Sequence, residues 1–253
     1  MSESALSRLL KGFEAYRKDE YKTHRGRIKD LVDNGQHPEV MMIACSDSRS
    51  GPSLITRANP GDVFVGRRVA ALVPPYNPKH PADPVAAEIE YAVEHLKVKD
   101  MVVLGHSRCG GIAGLEAAMK DGGDDKGSAT LRWVLSAREV IARADRKGAA
   151  RLKGQDRLAA IENESVLWSL ENLMTYPSVK KAVKAGRLKL HGWKYDIEHA
   201  AILGYDAKAR NWSPLTRVAK GLDLTTCDHD HDDDHDHPPK ADRARPVLHQ
   251  PGL

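Results

Sequence analysis

Two apolar runs, EVMMIA at residues 39–44 and DMVVLGH at 100–106, constrain this chain more than any other feature. Each is too short for a buried helix and shows no polar alternation. Such runs read as strands buried on both faces, the pattern of a parallel sheet covered by helices. DVFVGRRVAALV (62–73) is a further strand candidate, and LKLHGWKYD (188–196) another. Between them lie helical patterns. PADPVAAEIEYAVEHLKV carries Asp83 before Pro84, a capping residue followed by a first-turn proline. GGIAGLEAAMKDGG starts a helix directly after Cys109, and 129–147 and 157–185 read as helices. Upstream, Leu9, Leu10, Phe13 and Tyr16 recur at helical spacing in one or two amphipathic helices that Gly35 stops. The expected fold is α/β, a mostly parallel central β-sheet flanked by helices, with an N-terminal helical arm. The arm is expected over 1–35, a catalytic domain over 36–221, and a disordered His/Asp- and Pro-rich tail over 222–253.

Both runs end in reactive side chains. The first passes into Cys45-Ser46-Asp47-Ser48-Arg49, and the second ends in His106-Ser107-Arg108-Cys109. In parallel sheets, ligands bind beyond the carboxyl ends of the strands, where Cys45 and His106 both fall. Cysteine, histidine and aspartate are zinc-preferring side chains, and the short His106–Cys109 spacing lets one turn present two of them. Either Cys45 or His106 alone is read most simply as a packed core residue. Together, flanked by Gly105, Gly110 and Gly111, they point to a metal. Three protein ligands leave a fourth position for water, the catalytic pattern. Zinc lowers the pKa of such a water from about 15.7 toward about 7. Two thiolates cancel the ion's charge, so a weaker Lewis acid and an alkaline-side water pKa are expected. Asp47 and Arg49, two apart on what reads as an extended segment, are expected to point the same way. Asp47 then has two uses: to orient the nucleophile, held ionised by Arg49, or to swing onto the metal and close the site.

ACSDSR with GHSRCGG resembles the signature of the β-class carbonic anhydrases, and the surrounding sequence resembles the plant-type branch. The likeness runs from about residue 30 to 206, through NPGDVFVGRRVAALVPPY, EIEYAVEHLKV, SLENLMTYPSV and LKLHGWKYDI. The resemblance implies one zinc per subunit on Cys45, His106 and Cys109, with Asp47 and Arg49 as the orienting dyad. It also implies that Gln36 hydrogen-bonds the substrate, that the Gly110 N–H faces it, and that Phe64, Val69 and Tyr91 wall it. That wall is shared across a dimer interface in the family, so a homodimer or higher homo-oligomer is expected. The implied reaction is reversible hydration of carbon dioxide to bicarbonate and a proton by zinc-bound hydroxide. Arg68 departs from the plant-type pattern, which has Asn there, and 76–85 differs slightly in length.

Charge adds one complication. The net charge of +4 conceals DHDHDDDHDH at 228–237, six Asp and four His on an otherwise basic chain. Lys and Arg are scattered without aromatic interleaving, so no nucleic-acid partner is expected. No apolar run approaches a membrane span, and no secretory signal is visible. Three widely spaced cysteines fit a reducing cytoplasm better than a disulfide framework. The tail reads as a solubilising segment or a weak zinc or nickel collector. Two alternatives to carbon dioxide hydration stand: hydrolysis of carbon disulfide or carbonyl sulfide at the same zinc site, and non-catalytic zinc storage.

Overall fold

The computed structural model describes residues 3–80 and 82–215. The expected disordered tail, its His/Asp run and Cys227 lie outside the described residues. Those described cluster into two units, 3–37 with 59–61, and 38–58 with 62–215.

The first unit holds α1 (Ala5–Lys18) and α2 (Glu20–Asn34). The Ser4 hydroxyl caps α1 by accepting from Ser7 N at 3.1 Å. Of the expected apolar face of α1, Leu9, Leu10 and Phe13 are exposed in the single chain and Tyr16 is half-buried; Leu6, also on α1, is exposed.

The second unit contains β1 (Val40–Cys45), α3 (Pro52–Thr56), β2 (Val63–Arg68), α4 (Pro84–Glu90), β3 (Asp100–His106), α5 (Gly110–Lys120), α6 (Ala129–Leu135), α7 (Glu139–Arg146), α8 (Gly154–Leu173), α9 (Pro177–Lys184), β4 (Lys189–Asp196), β5 (Ala201–Asp206) and β6 (Asn211–Pro214). The strands form one sheet in the order β2-β1-β3-β4-β5-β6. Pairings among β2, β1, β3 and β4 are parallel, and those of β5 and β6 antiparallel. The chain leaves β1 toward β2 on one side and returns as β3 on the other. That reversal opens the crevice at the carboxyl ends of β1 and β3.

Burial explains the apolar runs. Met41, Ile43, Met101 and Val103 point into one core cluster, while Met42, Ala44, Val102 and Leu104 point into another. Alternate residues of a strand face opposite sides, so both faces of β1 and β3 must be apolar. Helix α8 lies close against β3 and β4 because both strands carry glycine beneath it. A Cβ on Gly105 would stand 2.6 Å from Val166 Cγ2, and one on Gly192 2.9 Å from Leu170 Cδ1. Val166 is buried and short, so it has little room to yield. Gly105→Ala is therefore expected to destabilise the fold by about 1–3 kcal/mol through overpacking, read as a lower denaturant midpoint. An unchanged midpoint would mean that α8 shifts freely on the sheet.

Several elements differ from expectation. The run 62–73 is a strand only to Arg68; it then turns through a 3₁₀ segment, Val69–Ala71, with φ of 62° at Ala70 and 55° at Ala71. Left-handed alanines cost roughly 1–2 kcal/mol each, and no glycine marks the turn. The helix expected over 129–147 breaks between α6 and α7, and that over 157–185 breaks before Pro177, which opens α9. Helix α4 is capped by Asp83 as expected and continues as a π-helix, Tyr91–Leu96.

Candidate metal centre

Cys45 ends β1 and His106 ends β3, on adjoining strands at their carboxyl ends. After His106 the chain reverses through Arg108, whose φ of 56° is left-handed, and Cys109 becomes the N-cap of α5. All three side chains are buried. Their two sulfurs and one ring nitrogen lie within 4.8 Å of one another.

The orientation of His106 is fixed from behind. Its Nδ1 lies 2.9 Å from the Ser107 carbonyl and donates to it, which leaves Nε2 as the free lone pair. That Nε2 is buried and has no hydrogen-bond partner. An orphaned imidazole nitrogen facing two thiols matches a soft divalent ion, for which thiolate and imidazole are the preferred donors. Electrostatics agree. Cys109 donates to Cys45, which together with the nearby His106 brings the Cys45 thiol well below the usual thiol range despite burial. The same bond, reinforced by burial, pushes the Cys109 thiol up. Burial opposes charge on His106, but the Cys45 sulfur, the Ser107 carbonyl and Asp47 outweigh it and raise its pKa.

Asp47 and Arg49 do meet, though not on extended backbone. Residues 46–50 form a turn, in which Ser50 N donates to the Asp47 carbonyl at 3.1 Å. The Arg49 backbone N–H and Nε both donate to Asp47 Oδ1, at 2.9 and 3.0 Å, and Nη2 donates to Oδ2 at 2.8 Å. This fork holds Asp47 well below the usual carboxylate range. Asp47 Oδ2 stands 3.9 Å from His106 Nε2, too far for a hydrogen bond but beside the Cys45–His106–Cys109 cluster.

The other candidates lie around this cluster or apart from it. The Phe64 and Tyr91 rings contact each other, with centroids 5.8 Å apart, and Tyr91 stays 37% exposed. Val69 opens the 3₁₀ turn, where its Cγ1 lies 2.9 Å from the place of a Cβ on Gly111. Gly110 begins α5, exposed, with open space where its Cβ would be. Gln36 is exposed and belongs to the first unit, so it is not among the residues the second unit gathers. Arg68, the departure from the plant-type pattern, is half-buried and forms an ion pair with Glu88. Gly66 makes room for that pair, since a Cβ there would stand 2.6 Å from Arg68 Nη2. Burial lowers the Arg68 pKa to about 10.

Two supporting groups have no motif to announce them. Arg67 Nε donates to the Cys45 carbonyl at 2.9 Å, and its Nη2 to the Asp47 carbonyl at 2.6 Å. Glu162 of α8, fully within the core, accepts from Cys109 N at 2.9 Å. The one available signal for Glu162 is its place in the inward stripe of α8 beside Leu158, Ile161, Ser165 and Val166.

A switch-point crevice holding a buried thiolate–imidazole cluster and a clamped carboxylate defines an α/β protein with a candidate metal centre. The carbonic anhydrase family profile matches residues 40–202, and the chain belongs to the β-class of that family. It is 34% identical to a carbonic anhydrase of Synechocystis sp. over 214 residues, 84% of this chain and 76% of the relative. Against a carbonic anhydrase of Pseudomonas aeruginosa the identity is 37% over 207 residues, 82% and 90% of the two chains. The solved β-carbonic anhydrase CcaA superposes with a TM-score of 0.77 at 32% identity, over 88% of this chain and 96% of that one. A tetrameric β-carbonic anhydrase of Sordaria macrospora gives 0.68 at 32%, over 80% and 97%. Membership of this enzyme family implies hydration of carbon dioxide. No helix among the described residues is long and apolar enough to cross a membrane.

Proposed function

We propose that the chain interconverts carbon dioxide and bicarbonate at one zinc per subunit, held by Cys45, His106 and Cys109. The observation that carries this reading is the buried, unpartnered Nε2 of His106 facing two thiols. Bound zinc would act as a Lewis acid that makes water nucleophilic near neutral pH. Asp47, kept ionised by Arg49, accepts a hydrogen bond from the attacking water and aims its lone pair. Phe64, Val69 and Tyr91 supply an apolar wall suited to an uncharged linear substrate, while the Gly110 N–H hydrogen-bonds it. The plant-type branch is the reading favoured by NPGDVFVGRRVAALVPPY and EIEYAVEHLKV. A homo-oligomer is favoured by the exposed Leu6, Leu9, Leu10 and Phe13 of α1, an apolar surface that a second copy would cover.

Stopped-flow carbon dioxide hydration on zinc-quantified protein, from about pH 6.5 to about pH 9, tests the reading. Turnover that rises with pH and is lost on chelation is expected. One zinc per chain with no turnover at the alkaline end would overturn it, and turnover of carbonyl sulfide alone would move it to that substrate.

A further inference from the structure

Behind the metal-binding cluster lies an ion pair that the proposed reaction does not use. Glu162 and Lys194 are 3% and 5% exposed, and their charged ends meet at 2.9 Å. Lys194 Nζ also donates to the Ala159 carbonyl at 3.3 Å. Lys194 sits in β4 directly opposite Gly105, the residue before His106. Glu162 reaches the same place from α8, which the glycines of β3 and β4 allow to lie close on the sheet. One carboxylate oxygen takes the lysine, and the other takes the backbone N–H of Cys109 at 2.9 Å.

Stability does not explain the pair. Desolvating two charges offsets most of their attraction, and well-packed apolar residues of similar volume serve a fold equally well. What apolar residues lack is an acceptor for the Cys109 N–H. Cys109 is the N-cap of α5; its carbonyl accepts from Ala113 N at 3.0 Å within the helix, whereas its own N–H points out of the helix and donates to Glu162. The bond to Glu162 ties it to α8.

We propose that Glu162 is a positioning residue that sets where Cys109 presents its sulfur, and that Lys194 holds the Glu162 carboxyl oriented for this. The arrangement parallels the Ser107 carbonyl behind His106: each ligand turn is fixed by an acceptor on its far side. This inference rests on the reading of Cys45, His106 and Cys109 as a zinc site.

Two double variants separate positioning from packing. E162Q/K194M removes both charges but keeps an oxygen acceptor for Cys109, whereas E162L/K194M removes the acceptor as well. Zinc affinity by chelator competition, the zinc-induced shift of the denaturation midpoint, and the thiolate–metal absorption of the cobalt-loaded proteins are the readouts. E162L/K194M is expected to lose zinc affinity by roughly 10–100-fold, to show a smaller zinc-induced shift and to change the cobalt spectrum. E162Q/K194M is expected to keep all three near the parent values. A structural role alone would lower the midpoints of metal-free and zinc-loaded protein equally and leave the shift between them intact. That result, or equal loss of affinity in both variants, overturns the proposal. Should E162L/K194M fail to fold, K194M alone carries the test: weaker zinc binding than the parent supports the proposal, and unchanged binding overturns it. If the parent protein itself binds no zinc, it is the metal-site reading that fails.

Discussion

Cys109→Ala is expected to leave a folded protein that no longer retains zinc on gel filtration and has lost carbon dioxide hydration to the limit of detection. The loss in metal affinity should exceed the roughly 10–100-fold typical of removing a group that only supports a ligand. Cys109 isolates the ligand role better than Cys45 does. The Cys45 sulfur also accepts from Asp47 N at 3.4 Å, so its removal would disturb the turn that carries Asp47 and Arg49. Cys109 caps α5 through its backbone, which alanine keeps. The fold should lose only about 1 kcal/mol for one buried heavy atom. A second readout comes from thiolate absorbance of the metal-free forms. In the parent, the Cys109 thiol donates to Cys45 and lowers its pKa, so thiolate signal persists to lower pH than for an ordinary thiol. Without that donor the Cys45 pKa rises, and the signal should disappear at higher pH. Full activity with stoichiometric zinc in Cys109→Ala would exclude this cysteine as a ligand.

The cluster of Cys45, His106 and Cys109 was legible because the features that bring the three together are local. EVMMIA and DMVVLGH are unbroken since both faces of β1 and β3 are buried, and the chemistry begins where each run stops. His106 and Cys109 share one turn, and a strand end is the natural place for Cys45. The Asp47–Arg49 contact was also legible as a pair, but for a different geometric reason. A turn folds Arg49 back onto Asp47, where extended backbone would only have aligned them.

Other features are written in no local pattern. The end of β2 falls inside an apolar run and depends on two left-handed alanines, 70 and 71, where a glycine would have shown the turn. The β5–β6 hairpin joins AILGYD to NWSP, segments too short and mixed to announce strands; β5 is held by its pairing with β4. Glu162 and Lys194 lie 32 positions apart, and each by itself reads as an ordinary charged surface residue. Only the packing of α8 on β3 and β4 joins them behind Cys109. The Arg68–Glu88 pair is similar: the sequence shows an unexpected arginine, while its compensation is an acid twenty residues on and a glycine two residues before.

Arg49→Ala is expected to lower kcat/KM by about 10²–10⁴-fold while zinc content stays at the parent level or tightens. Arg49 holds Asp47 at both carboxylate oxygens, through Nε and Nη2, and its backbone N–H adds a third bond. Alanine keeps only the backbone bond. The freed carboxylate, already 3.9 Å from His106 Nε2, can then turn into the fourth position beside the ligand cluster. Asp47→Asn should lose turnover to a similar degree for the opposite reason: the group stays in place but carries no charge, so it gives no added hold on zinc. Because both changes disable one unit, the double variant should be little worse than either single one. The pH dependence separates this account from simple loss of ionisation. The guanidinium keeps Asp47 below the usual carboxylate range, and its removal lets Asp47 rise toward about 3.9, still far below working pH. Asp47 therefore remains ionised in Arg49→Ala, and raising the pH should not restore activity. Acid stability carries the complementary sign. A carboxylate lowered in the folded state contributes stability above its unfolded pKa of about 3.9 and loses it as pH falls below that value. Arg49→Ala should thus unfold at a higher pH than the parent on acid titration, with the difference vanishing at the acid extreme. Parent-level kcat/KM in Arg49→Ala, or its recovery at alkaline pH, would show that Arg49 is a surface partner of Asp47 with no part in placing it.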